Sequence, residues 1–189
     1  MRVNKIVVLL LFSMFDLSAQ TYPKIDSNGF KSDIIDYIKL DKNLKNCDFI
    51  LMKYEDSYWR KVVNYRLICF KDNQTELVEI QRKKKNNKFS VTHKKKVEFN
   101  SYIVVIDSLK SCGLFDLKST DLNADKQDEF GNTQRKVISD GICVTFETYS
   151  LGRFWGLEIY EPKIFFDFSG NKNYLIVLNS IDLFNRQWK

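Results

Sequence analysis

Two glutamates on a predicted β-hairpin are the residues best placed to do chemistry. The hairpin is predicted over residues 142–149 and 153–160, and a two- or four-residue loop pairs residues whose numbers sum to 303. That register places Glu147 and Glu158 diagonally on one face. Neighbouring carboxylates can act as acid and base on a glycosidic bond, because one stays protonated beside the other. The alternatives are a solvated sheet face with ordinary charges, or an odd-length loop that changes the register.

The same face of the hairpin carries aromatic side chains. Tyr149, Phe154 and Tyr160 alternate with the two glutamates along the predicted strands. Aromatic residues are concentrated at the energetic centres of binding interfaces. The sequence therefore predicts a ligand or partner surface formed by Glu147, Tyr149, Phe154, Glu158 and Tyr160.

A second candidate surface is the basic segment 81–98, which holds eight basic residues against Glu98, a net charge of +7. Such a segment attracts a protein or anionic polymer. Nucleic acid is disfavoured by the predicted export and by the scarcity of stacking aromatics. Alternatively, the lysines protect an edge strand from aggregation. The predicted contact residues are Lys83, Lys84, Lys85, Lys94, Lys95 and Lys96.

The remaining motifs are weak. The sequence contains no nucleophile motif for which the single histidine, His93, could act as the base. It also contains no phosphate-binding or dinucleotide-binding loop. Residues 121–125 (DLNAD) match the first ligand positions of a calcium loop, but Lys126 occupies the position that requires glycine. We therefore predict neither a cofactor nor a metal.

The first residues predict export. Arg2 and Lys5 precede an apolar run of about ten residues, and Ala19 offers a small residue for cleavage. The run is too short to span a membrane, and no cysteine follows it to carry a lipid. We expect a signal peptide at residues 1–19 and a secreted or periplasmic, soluble single domain at residues 20–189.

Four cysteines lie in the predicted mature chain. In an oxidising compartment an even number suggests disulfides. Three pairings are open, and so is the alternative that the thiols are small buried apolar groups. The candidates are Cys47, Cys69, Cys112 and Cys143.

The elements that position these residues follow from periodicity and turn signals. Strands are predicted at residues 48–54, 62–71, 75–84 and 89–97, the last three forming a meander. Helices are predicted from Ser32, from Asn100 to Gly113, and from Asn171 to the end of the chain. Residues 118–136 are expected to form a long surface loop. This order predicts an α+β fold: a mainly antiparallel sheet, made of a three-stranded meander and a C-terminal hairpin, with two or three helices on one face.

These patterns favour a non-enzymatic, exported binding protein. A second hypothesis is a small hydrolase of a carbohydrate or envelope polymer, with Glu147 and Glu158 as acid and base. A third is a structural envelope component.

Overall fold

The computed structural model describes residues 32–55, 61–98, 100–138 and 141–188. The predicted signal peptide, residues 1–19, lies outside the described residues. Within the described ranges the chain forms eight β-strands: β1 (Asp48–Glu55), β2 (Val62–Lys71), β3 (Gln74–Lys83), β4 (Lys88–Val97), β5 (Lys126–Gln127), β6 (Thr133–Gln134), β7 (Cys143–Ser150) and β8 (Arg153–Tyr160). It also forms four α-helices there: α1 (Ile35–Leu40), α2 (Ser101–Ser111), α3 (Pro162–Ser169) and α4 (Lys172–Asn185).

One large antiparallel sheet dominates the fold. Its strand order is β4-β3-β2-β1-β7-β8, so β4 and β8 form its two edges. The predicted meander is confirmed as β2, β3 and β4, with ends within one residue of the expected positions. The predicted hairpin is confirmed as β7 and β8. The predicted α+β fold class is therefore confirmed.

The two faces of the sheet carry separate cores. Helices α2, α3 and α4 pack on one face, which we call the helix-covered face and which includes Ile50, Phe146 and Leu157. The short helix α1 packs on the other, the α1 face, against residues such as Phe49 and Leu67. The prediction of helices on one face thus holds for α2 to α4, whereas α1 lies opposite because alternate residues of β1 to β3 are apolar on both faces.

The hairpin has the predicted register. Phe146 faces Leu157 and Val144 faces Ile159 across β7 and β8. The loop consists of Leu151 and Gly152, with φ of 48° and 77°. Two consecutive left-handed residues form the type I′ turn that matches the twist of a hairpin. Leucine is poorly suited to this conformation.

Replacing Leu151 by asparagine is therefore expected to stabilise the protein. The Leu151 side chain is 74% exposed, so little packing is lost. Asparagine tolerates left-handed backbone better than leucine, and we expect Leu151→Asn to raise the free energy of unfolding by about 0.5–1 kcal/mol. Urea denaturation measures this change. Leu40→Asn is the control, because Leu40 is 83% exposed but helical. A gain no larger than that of the control would contradict the prediction.

Helices α2 and α4 bury the stripes that their periodicity predicts. Helix α2 buries Tyr102, Val105, Ile106 and Leu109. The chain turns away after the helix at Gly113, which has a left-handed φ of 84°. Cys112 is half-buried, less than the predicted stripe implies. Helix α4 is capped by Asn171, whose side chain accepts a hydrogen bond from the Asn173 amide at 2.9 Å.

Helix α3 was not predicted. Its apolar residues include Phe165, Phe166 and Phe168. Pro162 occupies the first helical turn, where its missing N–H costs nothing, and Gly170 ends the helix with a φ of 67°. These two residues are the signals that an analysis of apolar spacing missed.

Candidate functional site

The first predicted site residue, Glu147, is fully buried. It lies in β7 between Leu51 of β1 and Gly156 of β8. Ser32 donates a hydrogen bond from Oγ to Glu147 Oε2 at 2.6 Å. Glu147 Oε1 has no hydrogen-bond partner among the described residues. Burial raises the pKa of Glu147 to about 7, against the opposing effect of the Ser32 hydrogen bond.

The second predicted residue, Glu158, remains accessible, with 53% of its side chain exposed. It lies diagonally from Glu147 on the α1 face, as the register predicts. Lys53 Nζ lies 3.7 Å from Glu158 Oε2 and is itself almost buried. Thr145 Oγ1 is 3.5 Å from the same carboxylate oxygen. The structure therefore brings the two glutamates onto one face but gives them different surroundings.

Lys53 connects Glu158 to a larger set of charges. We call this set, together with Glu147, the ionic cluster; its other members are Asp33, Lys53, Glu55, Arg82, Lys84 and Glu158. Arg82 Nη2 lies 2.8 Å from Asp33 Oδ2, and Lys84 Nζ lies 2.8 Å from Glu55 Oε1. Lys53 Nζ lies 3.9 Å from Asp33 and 3.8 Å from Glu55. These members comprise three cations and three anions, so the cluster is electrically balanced when Glu147 is protonated.

The pKa of Glu55 is shifted in the opposite direction to that of Glu147. Burial acts to raise the pKa of Glu55, but the hydrogen bond and the charge of Lys84 outweigh it, and the pKa is lowered. Glu147 has no such cation in direct contact among the described residues, so burial decides its protonation. Of two carboxyls on one sheet face, one is therefore held ionised and the other is held protonated up to about neutral pH.

The alternative of a solvated sheet face is wrong for the centre of this surface. Both Thr145 and Glu147 are fully buried: β7 lies between two other strands, and the segment that contains Ser32 and α1 covers this face. Glu147 can therefore hold a proton but does not present it to a molecule in solvent. The arrangement balances charge within the fold.

The predicted aromatic residues surround this region at its margins. Tyr149 is half-buried and stacks on Phe49, with ring centroids 5.7 Å apart. Phe154 is half-buried in β8 opposite Tyr149. Tyr160 is 38% exposed, and its hydroxyl donates to the Ile138 carbonyl at 3.4 Å.

Sequence reasoning missed Asp33, Lys53 and Glu55 as members of the cluster. They come from the segment before α1 and from β1, which pairs with β7 as well as with β2. The signal was Lys53 itself, a charge within the otherwise apolar run of residues 49–54. A lysine that is buried in such a run is expected to pair with a carboxylate.

The second predicted surface lies at an edge of the sheet. Strand β4 pairs only with β3 among the described strands, and most of its residues are exposed. We call the lysines of β4, of the preceding turn and of the end of β3 the basic edge; they are Lys83, Lys84, Lys85, Lys88, Lys94, Lys95 and Lys96. Lys94 pairs with Glu76 at 2.7 Å, and Lys84 pairs with Glu55.

Several lysines of the basic edge lack an acidic partner. Lys96 donates to the neutral Gln74 side chain at 2.9 Å, so its charge is not compensated there. In the part of the chain that the structure describes, no ion pair involves Lys83, Lys85, Lys88 or Lys95. These side chains are exposed. The basic edge therefore presents uncompensated positive charge along one strand.

A β-bulge interrupts the regular alternation of side chains in β4. Glu79 faces His93 while Ile80 faces Val91, so Thr92 is an extra residue. Phe89 and Val91 consequently share a face with Lys94 and not with His93, contrary to strict alternation. His93 is exposed and faces Glu79.

The four cysteines all lie in the described part of the chain and carry free thiols. Cys47 and Cys69 are buried beside each other on the α1 face, where the hydrogen bond between the Cys69 thiol and Cys47, together with burial, raises the pKa of Cys69. Cys143 lies opposite Glu55 at the other end of β1, and burial raises its pKa to about 11. Cys112 follows α2 on the helix-covered face. Only Cys47 and Cys69 are neighbours.

The segment predicted as a long loop contains short regular pieces. A 3-10 turn covers Ser119–Leu122, and β5 pairs with β6. The DLNAD motif of residues 121–125 contacts the start of α4 through its backbone. The carbonyls of Asp121 and Asn123 accept hydrogen bonds from the Asn171 side chain at 3.0 and 2.9 Å. Asp125 pairs with Arg135 at 3.2 Å.

Comparison of the chain with protein-family models, curated proteins and solved structures finds no match. In the described ranges, no cluster of His, Cys, Asp or Glu side chains has the arrangement needed to hold a metal ion. None of the helices described has both the length and the apolar character required to cross a membrane.

Proposed function

We propose that this protein is a non-enzymatic binding protein whose basic edge recognises an extended acidic segment of another polypeptide. The observation that carries the proposal is that β4 is an exposed edge strand bearing uncompensated lysines. An edge strand offers unpaired N–H and C=O groups to an added strand. The lysines of the basic edge attract carboxylates, and this attraction adds selectivity for acidic sequences.

The burial of Glu147 supports binding over hydrolysis. A general acid must come within hydrogen-bond distance of the group that it protonates. Glu147 is fully buried, and its Oε2 already accepts a hydrogen bond from the Ser32 hydroxyl. The hydrolase hypothesis needs both glutamates at the substrate, and only Glu158 is accessible.

Binding to poly-L-glutamate tests the basic edge. We expect saturable binding that weakens at least tenfold, on the order of 1.4 kcal/mol, between about 0.05 M and about 0.3 M salt, because exposed charges are screened. Replacing Lys83, Lys85, Lys88 and Lys95 by glutamate is expected to abolish it. Fluorescence anisotropy of the labelled polymer measures both effects.

The matched control replaces four exposed lysines elsewhere: Lys45→Glu, Lys118→Glu, Lys126→Glu and Lys172→Glu. This variant should bind poly-L-glutamate much as the wild type does, and urea denaturation confirms that both variants fold. Absence of binding, or equal loss in both variants, would overturn the proposal and leave the lysines the role of edge protection. Binding to the anionic polysaccharide alginate but not to poly-L-glutamate would overturn the choice of partner.

We further propose that the chain is exported, that residues 1–19 are removed on export, and that Cys47 and Cys69 then form a disulfide. The layout of the first residues supports export. The contact between the two buried thiols supports the pairing. Oxidation removes one proton and one electron from each thiol and transfers them to a disulfide oxidant of the exported compartment, which is reduced to two thiols. The consequence for stability is considered in the Discussion.

A further inference from the structure

A polar cavity of about 420 Å³ opens on the helix-covered face of the sheet, beside the end of α4. Its volume is in the range typical of small-molecule sites. Strands β2, β3 and β4 and helix α4 contribute its polar wall, which consists of Asn64, Arg66, Glu79, Gln81, Thr92 and Asn185. It lies apart from the ionic cluster, which occupies the α1 face.

Arg66 is fixed in this wall by three neighbours. Its Nε donates to Glu79 Oε1 at 3.0 Å, and its Nη1 donates to Asn185 Oδ1 at 2.8 Å. The guanidinium also lies over the Trp188 ring, 5.4 Å from its centroid. Holding a side chain in place before binding reduces the entropy that a ligand must overcome. The wall is therefore preorganised, and the Arg66–Glu79 pair carries no net charge.

The bulge in β4 adds Thr92 to the same wall. Thr92 is the extra residue opposite Glu79, and its hydroxyl donates to the Glu79 carbonyl at 3.3 Å. Bulges turn side chains towards binding sites that regular pairing would not reach. Thr92 lines the cavity as a result.

The composition of the wall selects the ligand. Three carboxamides, from Asn64, Gln81 and Asn185, each offer N–H donors and a carbonyl acceptor. Tyr54 and Met52 add apolar surface. A sugar matches this combination, because hydroxyls around its rim donate and accept while its ring faces carry C–H groups. Because Arg66 and Glu79 neutralise each other, the wall offers no net electrostatic attraction to a charged ligand. We propose that this cavity binds a small neutral saccharide.

Titration with sugars tests the proposal. Saturation-transfer NMR and calorimetry would use glucose, N-acetylglucosamine and their β-1,4-linked disaccharides, with glucuronate and glucosamine as charged counterparts. We expect at least one neutral sugar to bind with a Kd on the order of 1 mM or tighter. The double variant Asn64→Leu, Gln81→Leu should weaken that binding at least about tenfold, because each change removes an amide that donates and accepts.

Gln127→Leu is the matched control, since Gln127 is exposed in β5 and does not line the cavity. It should leave sugar binding unchanged, and thermal unfolding establishes that both variants fold. The proposal would be overturned if no neutral sugar saturates the protein, if only a charged sugar binds, or if the double variant binds as the wild type does.

Discussion

The wild-type protein is expected to lose about 3 kcal/mol of its free energy of unfolding as the pH rises from about 5 to about 8. The cause is Glu147, whose pKa is raised by burial to about 7 from the ordinary value of 4.5. Between these two values the folded state keeps a proton that the unfolded chain has lost. Stability therefore falls as the pH rises through this window and levels off above about 7.

Other groups with shifted pKa values titrate outside that window. Glu55, whose pKa is lowered, loses its contribution only as the pH falls below the ordinary value of 4.5. Burial raises the pKa of the Cys143 thiol to about 11 from 9.0, so its ionisation lowers the stability only as the pH rises above 9.0. The range from about pH 5 to about pH 8 thus isolates the buried carboxyl.

Glu147→Gln tests this assignment. Its amide cannot ionise, and its carbonyl can still accept the hydrogen bond from Ser32. We expect urea denaturation to show a nearly flat dependence of stability on pH in this variant. Glu158→Gln is the control on the same sheet face: the fall in stability should persist, moved slightly to lower pH because the Glu158 charge acts to raise the pKa of Glu147.

Lys53→Met provides a further check, because the Lys53 charge acts to lower the pKa of Glu147. Removing that charge should move the fall in stability to higher pH. A wild-type slope that persists in Glu147→Gln would contradict the assignment.

Reduction of the exported protein is expected to lower its free energy of unfolding by about 3 kcal/mol, because a Cys47–Cys69 bond closes a loop of about 20 residues in the unfolded chain. Urea denaturation with and without reductant measures the difference. The intact mass of the secreted protein reports both the loss of residues 1–19 and the loss of two hydrogens relative to the reduced form.

Alanine variants identify the pair. Cys47→Ala and Cys69→Ala should each abolish the effect of reductant. Cys112→Ala and Cys143→Ala should preserve it, because these residues lie on the opposite face and at the other end of β1. An intact mass that does not change on reduction would disprove the disulfide, and so would equal sensitivity of all four variants.

Local patterns predicted the strands and their pairing well. The hairpin register followed from the loop length alone, since side chains alternate between the faces of a strand. The positions of Glu147 and Glu158 on one face were therefore accessible from the sequence. The stripes of α2 and α4 were accessible for the same reason, because helical spacing repeats within a few turns.

The environment of those residues depended on long-range pairing. Nothing local indicates that β1 lies between β2 and β7, and this pairing is what makes β7 central and buries Glu147. It also brings Lys53 beside Glu158. The bulge at Thr92, which adds its side chain to the cavity, is likewise set by how β4 pairs with β3.

Amide hydrogen exchange of the folded protein, with and without poly-L-glutamate, tests most directly whether the β4 edge is the binding surface. An added strand would slow exchange in residues 88–97, whereas the opposite edge, β8, would exchange at the same rate in both samples. Protection located in β8 or in the helices, or unchanged exchange in β4 when the polymer is bound, would contradict a role for the basic edge in recognition.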